Sequence, residues 1–414
     1  MATVKPFRGL RPPRDIAAAL SCLPYDVMNS AEAAQMADGN AVSLLHVTRA
    51  EIDCPLDTDV HSAEVYNMAA ANFARFKADG WLRPDPSPCY YVYAQTMNGR
   101  TQYGIVGAAA CEDYFSGVIR KHELTRPDKE EDRMALTRYL NANIEPVFFA
   151  YKAVPEIDAI VADTVRQTPE YDFTAADGFG HQLWVIRDAE VNRRIEHLFT
   201  SKVPFTYVAD GHHRTAAAAR IGQERKATNP NHTGTEEYNF FMAVHFPDNH
   251  LQIMDYNRLL RDLNGLTPTE FLQKLAEKFI ILKRTTAPVA PTQPRQFALY
   301  VQGEWTLLKA RPEIVDDSDP ISRLDVTLLS RHLLEPLLGI ADLRTSQRID
   351  FVGGIRGLDE LKRRVDSGEM KAAIALYPVS MQQLTDIADS GNIMPPKTTW
   401  FEPKLRSGLV IHEI

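Results

Sequence analysis

Residues 203–219 read VPFTYVADGHHRTAAAA. Phe205, Tyr207 and Val208 are β-favouring residues in an apolar run, and the alanine-rich segment from Thr215 has the highest helix propensity in the chain. A strand running into a helix therefore brackets Asp210-Gly211-His212-His213-Arg214. The turn gathers an acid, two imidazoles and a guanidinium at a helix N-terminus, where free N–H groups and the positive end of the dipole suit phosphate. Gly211 lets backbone approach closely, and Arg214 offers a bidentate grip on phosphate oxygens. Two other readings fit the turn. Asp210 can cap the helix with the histidines solvated. The histidines can also ligate zinc, but adjacent histidines diverge and no Cys or second His stands at ligand spacing.

Working upstream, strands are expected over 146–151 and 182–186 and helices over 155–168 and 189–199, an alternation that predicts mixed α/β packing. Neither GxGxxG nor GxxxxGK[ST] occurs, so a nucleotide is not held by a Rossmann fingerprint or a P-loop. His122-Glu123, flanked by Arg120, Lys121 and Arg126, closes a short apolar segment. A carboxylate there suits a general base whose pKa its neighbours tune. The run Asp128 to Arg133 reads as the solvated start of a helix.

A hairpin is expected at 90–95 and 102–109, because Asn98-Gly99 supplies the positive φ of a tight turn, with its second strand continuing towards 118–119. Before it, Val65, Met68, Ala69, Phe73 and Phe76 mark an amphipathic helix closed by Gly80. The first 55 residues carry Pro6, Pro12, Pro13 and Pro24 and read as irregular structure wrapped on a core. Pro24-Tyr25-Asp26-Val27 leads into a helix capped by Asn29 or Ser30. Residues 44–47 read as a strand, and His46 on it as a structural histidine, with a pocket role as the alternative.

Downstream, a strand over 238–246 is expected to pair with the strand before the central turn. A helix over 267–278, a linker over 285–295, a hairpin across Gly303 and an apolar helix over 324–338 follow. The chain then reads strand, helix, strand, helix over 349–390. The loop after it is stiffened by three prolines and carries Lys397, Thr398, Thr399, Lys404 and Arg406, a set suited to anions, or to docking a tail.

The 414 residues suit two or three domains, and a net charge of −8 argues against bulk nucleic acid as partner. Four dispersed cysteines without a CxxC pair, and no segment of signal-peptide or membrane-spanning character, lead to the expectation of a cytoplasmic protein without membrane or DNA partners.

The motifs PYDV, HELTRP, DGHHR and MPPKTTWFEPKLRSG together resemble a large bacterial family of unknown function related to free L-serine kinases of ParB/sulfiredoxin fold. The resemblance to the kinases covers 118–123 and everything from 203 onward. It implies an α/β (α+β) fold with a ParB/sulfiredoxin-like core over 113–284, an N-terminal α+β extension over 1–112, and a C-terminal α/β domain over 285–414. It implies phosphate binding by Asp210, Gly211, His212, His213 and Arg214, and a general base at Glu123. His122 and Asp210 complete the catalytic set, and Lys397, Thr398 and Thr399 make substrate contacts. The cofactors implied are ATP or ADP as phosphate donor with Mg²⁺, which Asp210 would contact. The function expected is a nucleotide-dependent phosphotransferase on a small hydroxylated metabolite, free L-serine among them. The alternative is a ParB-like nucleotide-binding regulatory or DNA-associated module without turnover. Trp400, after the two threonines, and the long N-terminal segment with its PYDV stretch depart from the kinase pattern.

Overall fold

The apolar run before the central turn becomes a strand, Thr206–Asp210, and the alanine-rich run a helix, His212–Thr228, in the computed structural model, which describes all 414 residues. The fold is mixed α/β. Two compact units form: Met1–Leu251 with Pro403–Ile414, and Gln252–Glu402.

The main sheet of the first unit has nine strands: β1 (Val4–Lys5), β2 (Tyr90–Met97), β3 (Arg100–Ala110), β4 (Ile119–Arg120), β5 (Val147–Tyr151), β6 (Tyr171–Thr174), β7 (Gly180–Ile186), β8 (Thr206–Asp210) and β9 (Phe240–Pro247). They form one sheet in the order β4-β8-β5-β9-β3-β2-β7-β6, with β1 paired to β3. Hairpin β2–β3 and strand β8 share this sheet, so the boundary expected at residue 112 runs through a single sheet. Only the pairs β4–β8 and β5–β9 are parallel. Strand β9 does not pair with β8 as expected, since β5 lies between them.

Helices cover both faces. Among them are α1 (Ala63–Ala78), α2 (Pro127–Leu140), α3 (Ala189–Lys202) and α4 (His212–Thr228). Ile195, Leu198 and Phe199 of α3 pack with Tyr90, Val92 and Trp184 on one side. On the other side Ala219 of α4 packs with Phe149, Val208 and Phe241. Small residues let α4 come close: a Cβ on Gly222 would stand 2.5 Å from the Tyr238 carbonyl oxygen and 2.7 Å from Cys111 Sγ. A further cluster joins Phe73 and Phe76 of α1 to Leu136 and Leu140 of α2 and to Ile411.

Three local expectations change. Residues 44–47 are not a strand; Leu45–Thr48 is a helical turn buried in that cluster. Strand β3 ends at Ala110, and a short helix, Cys111–Phe115, separates it from β4. The run 128–133 is not simply solvated, because Glu130, Asp132 and Arg133 are buried. Asp132 accepts hydrogen bonds from the Tyr66 hydroxyl and the Arg133 guanidinium, which is how these charges leave water.

The second unit is an antiparallel sheet of β10 (Tyr256–Leu260), β11 (Phe279–Thr285), β12 (Gln296–Val301), β13 (Glu304–Ala310), β14 (Ile349–Gly353) and β15 (Ala372–Leu376), in the order β11-β13-β12-β15-β10-β14. Helices α5 (Gly357–Asp366) and α6 (Met381–Asp389) complete the strand-helix-strand-helix unit. Leu361 of α5 packs on Leu259, Val352 and Ala373, which fixes one sheet face as core. By the alternation of a strand, Tyr256 and Arg258 point to the opposite face. No helix is long and apolar enough to cross a membrane.

Candidate functional site

Strands β4 and β8 run parallel, with Thr206 opposite Ile119 and Tyr207 opposite Arg120. Parallel strands release their next residues at the same sheet edge. His122-Glu123 and Asp210-Gly211-His212 therefore emerge side by side, although they are remote in sequence. The register of β8 against β5 shifts between Val208 and Asp210, an irregularity of the kind that re-aims a side chain. Gly211 then takes φ +91°, ψ 36° and holds the N-cap position of α4 without any side-chain cap. The left-handed backbone favours glycine here, and a Cβ would stand 3.2 Å from the Arg214 guanidinium. The first-turn N–H groups of α4 have no intrahelical carbonyl to meet, which leaves them for a ligand or water.

Two imidazoles meet at this edge. The His122 and His212 rings lie edge to face with centroids 4.5 Å apart, both buried. Burial pushes His122 down to about 4. Burial, and then the neighbouring His122, His213 and Lys121, hold His212 well below its ordinary value. Both rings are neutral at pH 7 and act as hydrogen-bonding groups rather than cations. His212 Nδ1 stands 3.8 Å from Glu123 Oε2, and the Glu123 side chain is 47% exposed. The Nε2 atoms of His212 and His213 are buried without a protein partner.

The acid of the turn is held between two cations. Asp210 Oδ2 is 3.5 Å from Arg214 Nη2 and 3.6 Å from Lys404 Nζ. Burial works to raise its pKa, but Lys404 and then Arg214 prevail and keep the carboxyl below the usual range. Asp210 thus is not the helix cap; it neutralises the cations beside the turn. Arg214 is itself buried and donates through Nη1 to the Pro146 carbonyl. With Nη1 so occupied, a grip by both terminal nitrogens on one phosphate is not the arrangement seen; the Nε atom has no protein partner.

The PYDV stretch joins this neighbourhood. Tyr25–Val27 is a single 3₁₀ turn, and the Arg133 guanidinium lies 3.9 Å over the Tyr25 ring. The Tyr25 N–H donates to Glu145 at 2.9 Å, and Arg49 donates to the Tyr25 and Met28 carbonyls. The turn is fixed in place, and Asp26 on it is the foremost acid acting on both His213 and Arg214. Sequence reasoning gave Asp26, Arg133 and Glu145 no role, and placed Lys404 only in a loop suited to anions. A signal was present: Arg133, Leu136 and Leu140 share one helical face, which marks the arginine as inward-facing. His46 is structural, bound to Asp53 through Nδ1 at 2.9 Å and to the Asn40 carbonyl through Nε2.

Lys397, Thr398 and Thr399 belong to the second unit. Lys397 takes φ +58° and sets its ammonium 5.7 Å from the Tyr256 ring centroid. Thr398 is buried and donates to the Pro395 carbonyl at 2.6 Å; Thr399 is half-buried.

Mg²⁺ does not fit as an ion held by the protein alone. No group of three His, Cys, Asp or Glu side chains is arranged for a metal, and Asp210 already faces two cations.

The DUF1015 family, described as proteins of unknown function, matches residues 4–327. This chain belongs to that family. The match takes in the PYDV, HELTRP and DGHHR stretches of this DUF1015 protein and stops before the Pro-Lys-Thr-Thr loop. No curated protein matches it. Among solved structures, a free serine kinase in complex with AMP is similar over 74% of this chain and 92% of that one, with 12% identity and a TM-score of 0.34. SbnI with a C-terminal truncation, from Staphylococcus aureus, is similar over 74% and 87%, with 10% identity and a TM-score of 0.38. A conserved hypothetical protein from Pyrococcus furiosus is similar over 74% and 95%, with 12% identity and a TM-score of 0.34.

Proposed function

We propose that this DUF1015 protein is a nucleotide-dependent phosphotransferase acting on a small hydroxylated metabolite, with free L-serine as the first acceptor to test. The observation that carries the reading is the 3.8 Å approach of Glu123 to His212. It sets a half-exposed carboxylate against the first turn of a helix whose N–H groups suit phosphate. Phosphoryl transfer asks for positioning and charge neutralisation rather than covalent chemistry. In this reading the Gly211–Arg214 backbone and Lys404 hold the phosphates of ATP or ADP. Asp210 restrains the two cations, and the neutral His122 and His212 orient Glu123. Glu123 takes the proton from the acceptor hydroxyl as its oxygen bonds to phosphorus and the bond to the nucleotide oxygen breaks. Mg²⁺ bound to the nucleotide would supply charge neutralisation, since the side chains of this chain form no site for it by themselves. Lys397, Thr398 and Thr399 are proposed as contacts to the acceptor or its phosphate.

Nucleotide consumption with a panel of hydroxylated metabolites tests the reading. Wild type should consume nucleotide only in the presence of an acceptor, and Glu123→Ala should not. Equal inactivity of both across the panel, with nucleotide still bound, would leave a nucleotide-binding module without turnover.

A further inference from the structure

Arg258 stands at the centre of the second unit on β10, 1% exposed. Its Nη1 donates to the Tyr256 carbonyl, while Nε and Nη2 are buried without any partner. No carboxylate acts on it: burial lowers its pKa to about 10, and Tyr256 is the sole titratable neighbour that opposes this. The other buried arginines of the chain, Arg133, Arg214 and Arg406, each face a carboxylate. Arg11 offers its Nε–Nη2 edge to both oxygens of Asp85 at 2.6 and 2.7 Å, and Arg133 offers the same edge to Asp132. That edge presents two parallel N–H groups and matches a carboxylate or phosphate in bidentate fashion. A buried charge left without such a partner is among the costliest arrangements a protein can hold.

The surroundings point the same way. The Phe351 ring lies 5.1 Å and the Tyr256 ring 6.0 Å from the guanidinium carbon, and neither supplies a formal charge. Trp400 packs edge-on to Tyr256 at 5.0 Å and fills the space left by Gly353, where a Cβ would come within 2.6 Å of the indole. Lys397 reaches the same tyrosine from the same loop. A second cation and three aromatic rings thus share one sheet face with Arg258.

We propose that the Nε–Nη2 edge of Arg258 receives an oxyanion, a carboxylate or a phosphate, and that the face of Tyr256, Phe351 and Trp400 is an anion-binding site completed by Lys397. This does not rest on phosphoryl transfer and concerns the second unit alone. The anion gains two parallel hydrogen bonds and a charge partner; the rings exclude water and leave the edge to be matched by shape.

Calorimetric titration of the full chain with inorganic phosphate, and separately with acetate, without nucleotide, tests it. Saturable binding of at least one is expected, and which one binds tells phosphate from carboxylate. Arg258→Lys keeps the charge but loses the fork, and should weaken that binding at least tenfold. Arg258→Met should abolish it while melting above wild type, since an unpaired buried charge is removed. Lys77→Ala, which removes a surface cation of the first unit, should leave it unchanged, which separates specific binding from loss of charge alone. Absence of saturable binding of either anion up to tens of millimolar, or undiminished affinity in Arg258→Lys, overturns the proposal. If Arg258→Met does not fold, the lysine variant decides.

Discussion

Glu123 Oε2 lies 3.8 Å from His212 Nδ1, and the imidazole it faces is buried and neutral. The parallel register of β4 on β8 creates this relationship, so it does not depend on Glu123 itself for stability. Glu123→Gln should therefore melt within about 0.5 kcal/mol of wild type, as exposed positions do. Under the proposed chemistry its turnover falls by roughly 10²–10⁴. A parallel melt and rate measurement checks both numbers. Loss of stability with retained rate would make Glu123 structural.

Gly211→Ala should act on the fold and the phosphate site together. The residue sits at φ +91°, and the added methyl meets the Arg214 guanidinium at 3.2 Å. Forcing a side chain into the left-handed region costs about 1–2 kcal/mol. Denaturant midpoints should show that loss, and thermal shift with ADP or ATP should shrink as well, since the backbone N–H groups move.

Acid should destabilise the first unit through histidines that are buried neutral. Burial lowers His122 and His181 to about 4 and His245 to about 3. The unfolded chain binds these protons near the ordinary value of about 6.5. From there down to about 4, and to about 3 for His245, the unfolded state holds more protons, so stability falls as pH drops through this window and levels off below it. Each such group contributes at most roughly 3–5 kcal/mol over its window. His245 has both ring nitrogens unpartnered and rings of Phe149 and Phe199 within 5.5 Å. His245→Leu should raise stability at pH 7 by about 1–3 kcal/mol and flatten the acid slope, as urea midpoints at pH 7.5 and 4.5 would show.

Much of the fold was legible because local signals and tertiary placement agree. Asn98-Gly99 gave the hairpin, Asn29 closes a capping box with Glu32, and the step from Val208 to Thr215 gave the central turn. Pairing was not legible, since nothing in residues 238–246 says that β5 will come between β8 and β9. The same holds for the site. DGHHR and His122-Glu123 announce themselves by composition, whereas Lys404 joins Asp210 only because the C-terminal segment returns to the first unit. Asp132 and Arg133 look solvated in a charged run, and only the apolar spacing of Leu136 and Leu140 behind them hints that their face turns inward. Arg258 has no sequence signal at all beyond being a cation in an apolar strand.

Gly222→Ala tests how α4 is held. A methyl there would meet the Tyr238 carbonyl at 2.5 Å and Cys111 Sγ at 2.7 Å, and the carbonyl belongs to backbone that cannot rotate away. Overpacking of this kind costs about 1–3 kcal/mol. Chemical denaturation should register it, and Cys111→Ala in the same chain should recover only the part due to sulfur.

Transfer is tested most directly by following ³¹P NMR spectra of the wild-type chain with ATP or ADP, Mg²⁺ and L-serine. The account predicts a phosphomonoester resonance coupled to the serine methylene protons, growing with time and absent with Glu123→Gln. Nucleotide bound at the Gly211–Arg214 turn, with no phosphoester formed on serine or on any other hydroxylated acceptor, would contradict it.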